Sequence, residues 1–171
     1  MHTIKWRIRF VLKHCWPVLL LVTLYLSIFT QIKIVSGSME PTLMTGDRAM
    51  ITNDWLFYKP QRGDIVGFAM GNEIWVKRVI GLPGDKIEFL MGVILVNGEV
   101  LEEPYLPEGT YTYGGTQEVY EVPEGYVFLL GDNREFSDDS RYWDDPYIPI
   151  RRVIGKYRLT IFHAKRDTAG Q

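Results

Sequence analysis

The chain has 171 residues, 46% hydrophobic and 23% charged, a balance that fits one globular domain with a short appendage and excludes a disordered chain. Its net charge of −2 is unevenly placed: Lys5, Arg7, Arg9 and Lys13 precede the first acid, Glu40, and the remainder carries 15 basic against 21 acidic side chains. That distribution excludes a basic face for nucleic acid, and a single cysteine, Cys15, excludes an internal disulfide and a cysteine-rich zinc site.

In chain order, the first predicted element is apolar. Residues 14–32, "HCWPVLLLVTLYLSIFTQI", contain no Asp, Glu, Lys or Arg. As a helix they would extend roughly 28 Å, about the hydrocarbon thickness of a bilayer. The basic segment 1–13 favours a cytoplasmic N-terminus, which puts everything after Lys33 on the far side. A buried core helix and a cleaved secretory signal are the competing readings. Against cleavage, Ile34-Val35-Ser36 has a large residue where a small one belongs. The expectation is an uncleaved signal anchor over 14–32, followed by one domain over 33–171.

Beyond residue 33 the pattern is that of β structure. Short apolar runs bounded by Gly, Pro or Asp predict strands within 62–70, 73–81, 124–132 and 155–164. Segment 86–100 adds more, with a hairpin turn at Asn97-Gly98. Segment 102–117 is rich in Pro and Gly and reads as a surface excursion. The tripeptide Arg62-Gly63-Asp64 leads straight into a strand and reads as a turn. No helical period persists, so the expected fold is mainly β, an antiparallel sheet or barrel-like domain behind one transmembrane helix. Trp55, Phe57 and Tyr58 suit either a membrane interface or a core.

Three segments could carry chemistry. "VSGSMEPTL" (35–43) holds two serines around a glycine just after the apolar run. A serine nucleophile needs a base, and of three histidines only His163 would lie on the same side of the membrane. No G-x-S-x-G elbow and no S-x-x-K pattern surrounds any serine. A lysine serves as base only if it loses its proton, which burial among apolar neighbours promotes. Lys77, with Trp75 and Val79 on its strand face, is the best candidate, although that segment by itself reads more naturally as carrying an outward-facing surface lysine. "GDNREFSDDSRYW" (131–143) is dense in carboxylates, but lacks the alternating oxygen ligands of a calcium loop.

Taken together, "SGSMEPTL", "RGDIV", "VKRVIGLPGD" and "GDNREFSDDSRYW", in that order behind an apolar segment, resemble the bacterial type I signal peptidases. That resemblance covers nearly the whole chain. It implies a membrane-bound serine endopeptidase that removes leader peptides after an Ala-x-Ala type site, using a Ser-Lys dyad. By the same resemblance Ser38 would be the nucleophile and Lys77 the general base. The Ser36 hydroxyl and the Ser38 amide would hold the oxyanion, with Gly37 allowing the bend. Ser137 would orient the lysine, and Asp139 with Arg141 would brace the site. Ile32, Ile34, Val35, Leu43, Trp75 and Val76 would line shallow pockets beside an added substrate strand.

The resemblance implies no cofactor and no metal. Its partners would be preprotein signal peptides, the phospholipid bilayer and the neighbourhood of the export translocon, with no nucleic acid. The expected location is the bacterial cytoplasmic membrane, single-pass, with the catalytic domain on the extracytoplasmic side. The short length suggests the Gram-positive type, without a second anchor or an extra β domain. Two rivals are a related Ser-Lys peptidase for conjugation or mitochondrial precursors, and an inactive β domain serving as a binding module.

Overall fold

The computed structural model describes residues 2–53 and 58–164, and among them eleven strands follow one long helix. Helix α1 covers His2–Ile28, with Pro17 inside it. The strands are β1 (Phe29–Lys33), β2 (Arg48–Thr52), β3 (Ile65–Met70), β4 (Glu73–Gly81), β5 (Lys86–Leu90), β6 (Val93–Val96), β7 (Glu99–Val100), β8 (Val119–Glu121), β9 (Tyr126–Leu130), β10 (Tyr147–Pro149) and β11 (Val153–Phe162). Every pairing is antiparallel. The mainly β expectation therefore holds.

Seven strands form one sheet in the order β1-β2-β11-β3-β4-β9-β10, and four form a second in the order β7-β6-β5-β8. Alternation along β4 and β9 divides the core between the two faces of the large sheet. Ile80, Phe128 and Leu130 point toward the small sheet and pack with Ile87, Ile94 and Tyr120. Val79, Val127 and Leu129 point the other way, onto Val66, Phe68 and Ile148. A third cluster of Ile34, Met39, Leu43, Ala49 and Ile65 lies under the serine segment. Because both faces of β4 are covered from Lys77 to Gly81, any charge on that stretch is taken out of water.

Several boundaries differ from the sequence reading. The helix ends at Ile28, and Phe29–Lys33 form β1, in register from Phe29 opposite Thr52 to Lys33 opposite Arg48. The apolar run continues across this change, so the anchor's predicted end at 32 merges helix with strand. A strand and a helix end are not distinguishable by hydrophobicity alone. Segment 86–100 contains a second turn, where Met91 and Gly92 take positive φ values of 51° and 85°, besides the predicted one at Asn97-Gly98. Arg62-Gly63-Asp64 is a turn before β3, with Gly63 at φ 88°. Trp55 and Phe57 lie outside the described residues, whereas Tyr58 packs against the second cluster and donates to Asp64 at 2.7 Å.

Among the described residues no helix is long and apolar enough to cross a membrane. The described side chains of α1 are exposed at Trp16, at Val18 through Val22, and at Leu24, Tyr25 and Ile28. Five consecutive exposed apolar residues pass through more than one turn, so the apolar surface surrounds this part of the helix.

Candidate active site

The serine segment leaves β1 in extended conformation, with Ser36 at φ −132° and ψ 156°, and then winds into a short 3-10 turn over Gly37–Met39. This turn brings Ser36 Oγ and Ser38 Oγ to 3.3 Å, whereas in a plain strand residues i and i+2 lie about 7 Å apart. Gly37 does not take a left-handed conformation. A Cβ there would crowd the Glu40 carboxylate at 3.2–3.3 Å, so the turn itself, and no special glycine geometry, gathers the hydroxyls.

Segment 131–143 clamps the serine turn from the other side. Asn133 N–H donates to the Ser38 carbonyl at 3.1 Å, and its side-chain amide donates to the Gly37 carbonyl at 3.0 Å. Gly131 fills the closest approach: a Cβ at that position would overlap both the Ser137 hydroxyl and the Ser38 carbonyl. Only glycine lets the two segments close to this distance. Met39 and Leu43 anchor the turn from below, each no more than 1% exposed.

Lys77 enters from β4 at 3% exposure and donates to Ser137 Oγ at 3.0 Å. Burial pushes its amine down to about 8, against an upward pull from Asp139 and Asp138. Desolvation wins because the lysine's hydrogen bond goes to a neutral hydroxyl and not to a carboxylate. The nearby carboxylate of Asp139 is already taken: Arg141 grips it with Nε at 2.8 Å and an amino group at 2.9 Å, and both side chains are fully buried. Asp139 also accepts from the Gly131 N–H at 3.1 Å, which ties the pair to the clamp.

A cleft of about 590 Å³ opens over this arrangement, and Ser36, Ser38 and Lys77 all line it. On one side runs β1, the border strand of the large sheet. On the other runs β4, whose partner β9 pairs from Arg78 onward and leaves Glu73–Lys77 without a strand neighbour on that side among the described residues. Two unpaired strand borders thus face one space, as strand addition requires. The cleft can hold an extended backbone, and the Ser36 and Ser38 hydroxyls and the proton-poor Lys77 amine all line it.

Every proposed catalytic and supporting residue converges here. Of the predicted pocket residues, Ile32, Ile34, Val35, Trp75 and Val76 line the cleft. Leu43 is the exception, because it is fully buried within the third cluster and supports the floor from beneath. His163 is 66% exposed beside Asp47, 3.6 Å away, and does not line the cleft.

Sequence reasoning missed the outer bracing. Arg78 holds Asp132 through Nε at 2.8 Å and an amino group at 2.6 Å, and Thr42 donates to the same carboxylate at 2.5 Å. Arg134 grips Glu103 and donates to Thr112, both in the segment read as a surface excursion. The one available signal was the Gly-Asp-Asn tripeptide at 131–133, whose last two residues commonly bond to nearby backbone in turns.

Comparison with known proteins places the chain in a family. The family model described as "Signal peptidase, peptidase S26" matches residues 7–162. The signal peptidase I of Bacillus caldolyticus is 35% identical over 82% of this chain and 86% of its own length. A protein named "Probable signal peptidase I-2" from Synechocystis is 37% identical over 72% of this chain, which spans 58% of that protein's length. Among solved structures, a signal peptidase I from Enterococcus faecalis is similar with a TM-score of 0.50 and 35% identity, covering 58% of this chain and 97% of that one. The chain belongs to the signal peptidase family, peptidase S26.

Proposed function

We propose that this protein is a membrane-anchored serine endopeptidase that cuts leader peptides from exported preproteins, with Ser38 as nucleophile and Lys77 as base. The observation that carries this reading is the buried amine of Lys77, lowered to about 8, in one cleft with the paired Ser36 and Ser38 hydroxyls. Neutral Lys77 takes the Ser38 proton as the alkoxide attacks the scissile carbonyl. A rotation about the Ser38 side chain carries its hydroxyl from Ser36 toward the amine. The oxyanion is then held by the Ser38 N–H and the Ser36 hydroxyl. Protonated Lys77 gives its proton to the departing amine, and water activated by the same amine hydrolyses the acyl-enzyme.

The substrate lies as a strand between β1 and the free border of β4, with small residues over the floor formed by Ile32, Ile34 and Val76, as an Ala-x-Ala site demands. The apolar N-terminal segment, whose described side chains alone do not make a crossing helix, anchors the enzyme in the bilayer with its N-terminus in the cytoplasm and the β domain outside. Its all-round apolar exposure supports this, as do two internally satisfied hydroxyls: Thr23 donates to the Leu19 carbonyl at 2.8 Å and Ser27 to the Leu24 carbonyl at 2.7 Å. Incubating the full chain with a secretory precursor tests the function. Ser38→Ala should abolish cleavage, and Ser36→Ala should slow it by about a hundredfold or more, the usual effect of losing one oxyanion donor. Cleavage by Ser38→Ala at the native rate would remove the assignment.

A further inference from the structure

The two walls of the cleft differ, and the difference follows from strand alternation. On β4, Ile74 and Val76 share one face, and Val76 packs with Ile32 against the third core cluster, forming the floor that receives small side chains. Trp75 and Lys77 share the opposite face. Trp75 lies edge-on to Trp143, 6.0 Å between ring centres, and donates to Glu73 at 3.0 Å, so its indole is fixed in place. The same cleft is lined by Phe136, which is 75% exposed and adjoins Ser137 in the chain. Its backbone is held by the Phe136 N–H donating to the Asn133 carbonyl at 3.2 Å, within the loop that clamps Ser38. An exposed phenyl ring on a pinned loop at the mouth of a cleft contributes little to the core. Its apolar surface stays open to whatever enters the cleft.

We propose that Phe136 and Trp75 form an apolar ledge that selects a large apolar side chain at the residue between the two small ones of the cleaved tripeptide. This rests on the strand-addition reading of the cleft given above. A strand whose first and third side chains point to the Ile32, Ile34 and Val76 floor must turn its middle side chain the opposite way, onto the face that carries Trp75. Glu73 and Asp138 also line the cleft, so an acidic side chain is disfavoured there by like charge. Phe136 is therefore a specificity-determining residue that works by covering part of a substrate side chain.

The test uses the full chain in phospholipid vesicles and a peptide series that differs only in the middle residue: Ala, Leu, Phe or Asp. The wild type should favour Leu and Phe over Ala by about fivefold to tenfold in kcat/KM, the effect of half-covering a large apolar side chain, and should cut the Asp peptide least well. In Phe136→Ala the ratio of Leu to Ala peptides should fall toward one, and in Phe136→Leu most of it should return. Because Phe136 is exposed, its truncation opens no core cavity, and an unchanged melting temperature checks this. A ratio that is the same in wild type and Phe136→Ala overturns the ledge. So does a preference that follows the residue after the cut. A wild type that cleaves the Ala peptide without favouring Leu overturns the ledge alone, whereas one that cleaves no peptide overturns the functional reading beneath it.

Discussion

Lys77 and Arg141 are nearly equally buried, at 3% and 0% exposure, and both lie near the Asp139 carboxylate, yet the fold treats them oppositely. Arg141 receives both carboxylate oxygens, and its remaining donors reach the Arg134 and Tyr113 carbonyls. Lys77 receives one neutral hydroxyl. The arginine region is a brace whose charge is fully met, and the lysine region is a place where a charge is unwelcome. Pairing fixes the arginine's charge, and desolvation makes the lysine readier to lose its own. A single carboxylate, directed to one cation, separates the two roles.

The strongest way to break this contrast is to make the base unable to lose its proton. Lys77→Arg keeps the positive charge but cannot act as a neutral base, so precursor cleavage should fall by about a thousandfold or more. The next largest effect should come from the brace. Arg141→Met leaves Asp139 buried and unpaired, which should cost about 3–5 kcal/mol in denaturant unfolding. It should also move the acid limb of the pH–rate profile upward, because the freed carboxylate would then hold the proton on Lys77 more strongly. A stability loss without that movement would separate the two regions.

A smaller effect sharpens the comparison from the lysine side. Burial lowers the folded amine from 10.5 to about 8, so protonation is disfavoured in the folded chain. Its cost is fully present below about pH 8 and fades as pH rises toward 10.5. Lys77→Met should therefore be more stable than the parent at pH 7, by an amount on the order of 2 kcal/mol, with the gap closing at high pH. Loss of activity with a raised melting temperature is the expected pair of results. For the unsubstituted enzyme, the proposed role of a neutral Lys77 amine predicts that kcat/KM rises with pH and reaches half its plateau near 8.

Much of the candidate site was legible because its parts sit in short, dense segments whose order carries the family resemblance. Ser36, Ser38, Lys77, Ser137, Asp139 and Arg141 come from three stretches, and the fold brings them together. Strands with clear alternation or clear turns, such as β4 and the hairpin at Asn97-Gly98, were equally readable. β1 was hidden because Phe29–Ile32 continue the apolar run of the helix, and only pairing with β2 sets them apart. The bracing by Glu103 and Thr112 was hidden for a different reason. A segment without regular structure showed no period, yet Gly115 packs so tightly on the Arg141 carbonyl that a side chain there would overlap it. The buried Arg134 draws its side-chain partners from 22 and 31 residues earlier in the chain. Partners that distant leave no mark in local sequence.

The two unmatched strand borders carry a consequence for inhibition. Backbone groups waiting on both sides of a slot will accept a stiff, extended mimic that has no bond to cut, provided its amides alternate correctly. Methylating those amide nitrogens one at a time would then map which contacts matter, and a macrocycle locked straight should outcompete a floppy linear peptide of the same sequence.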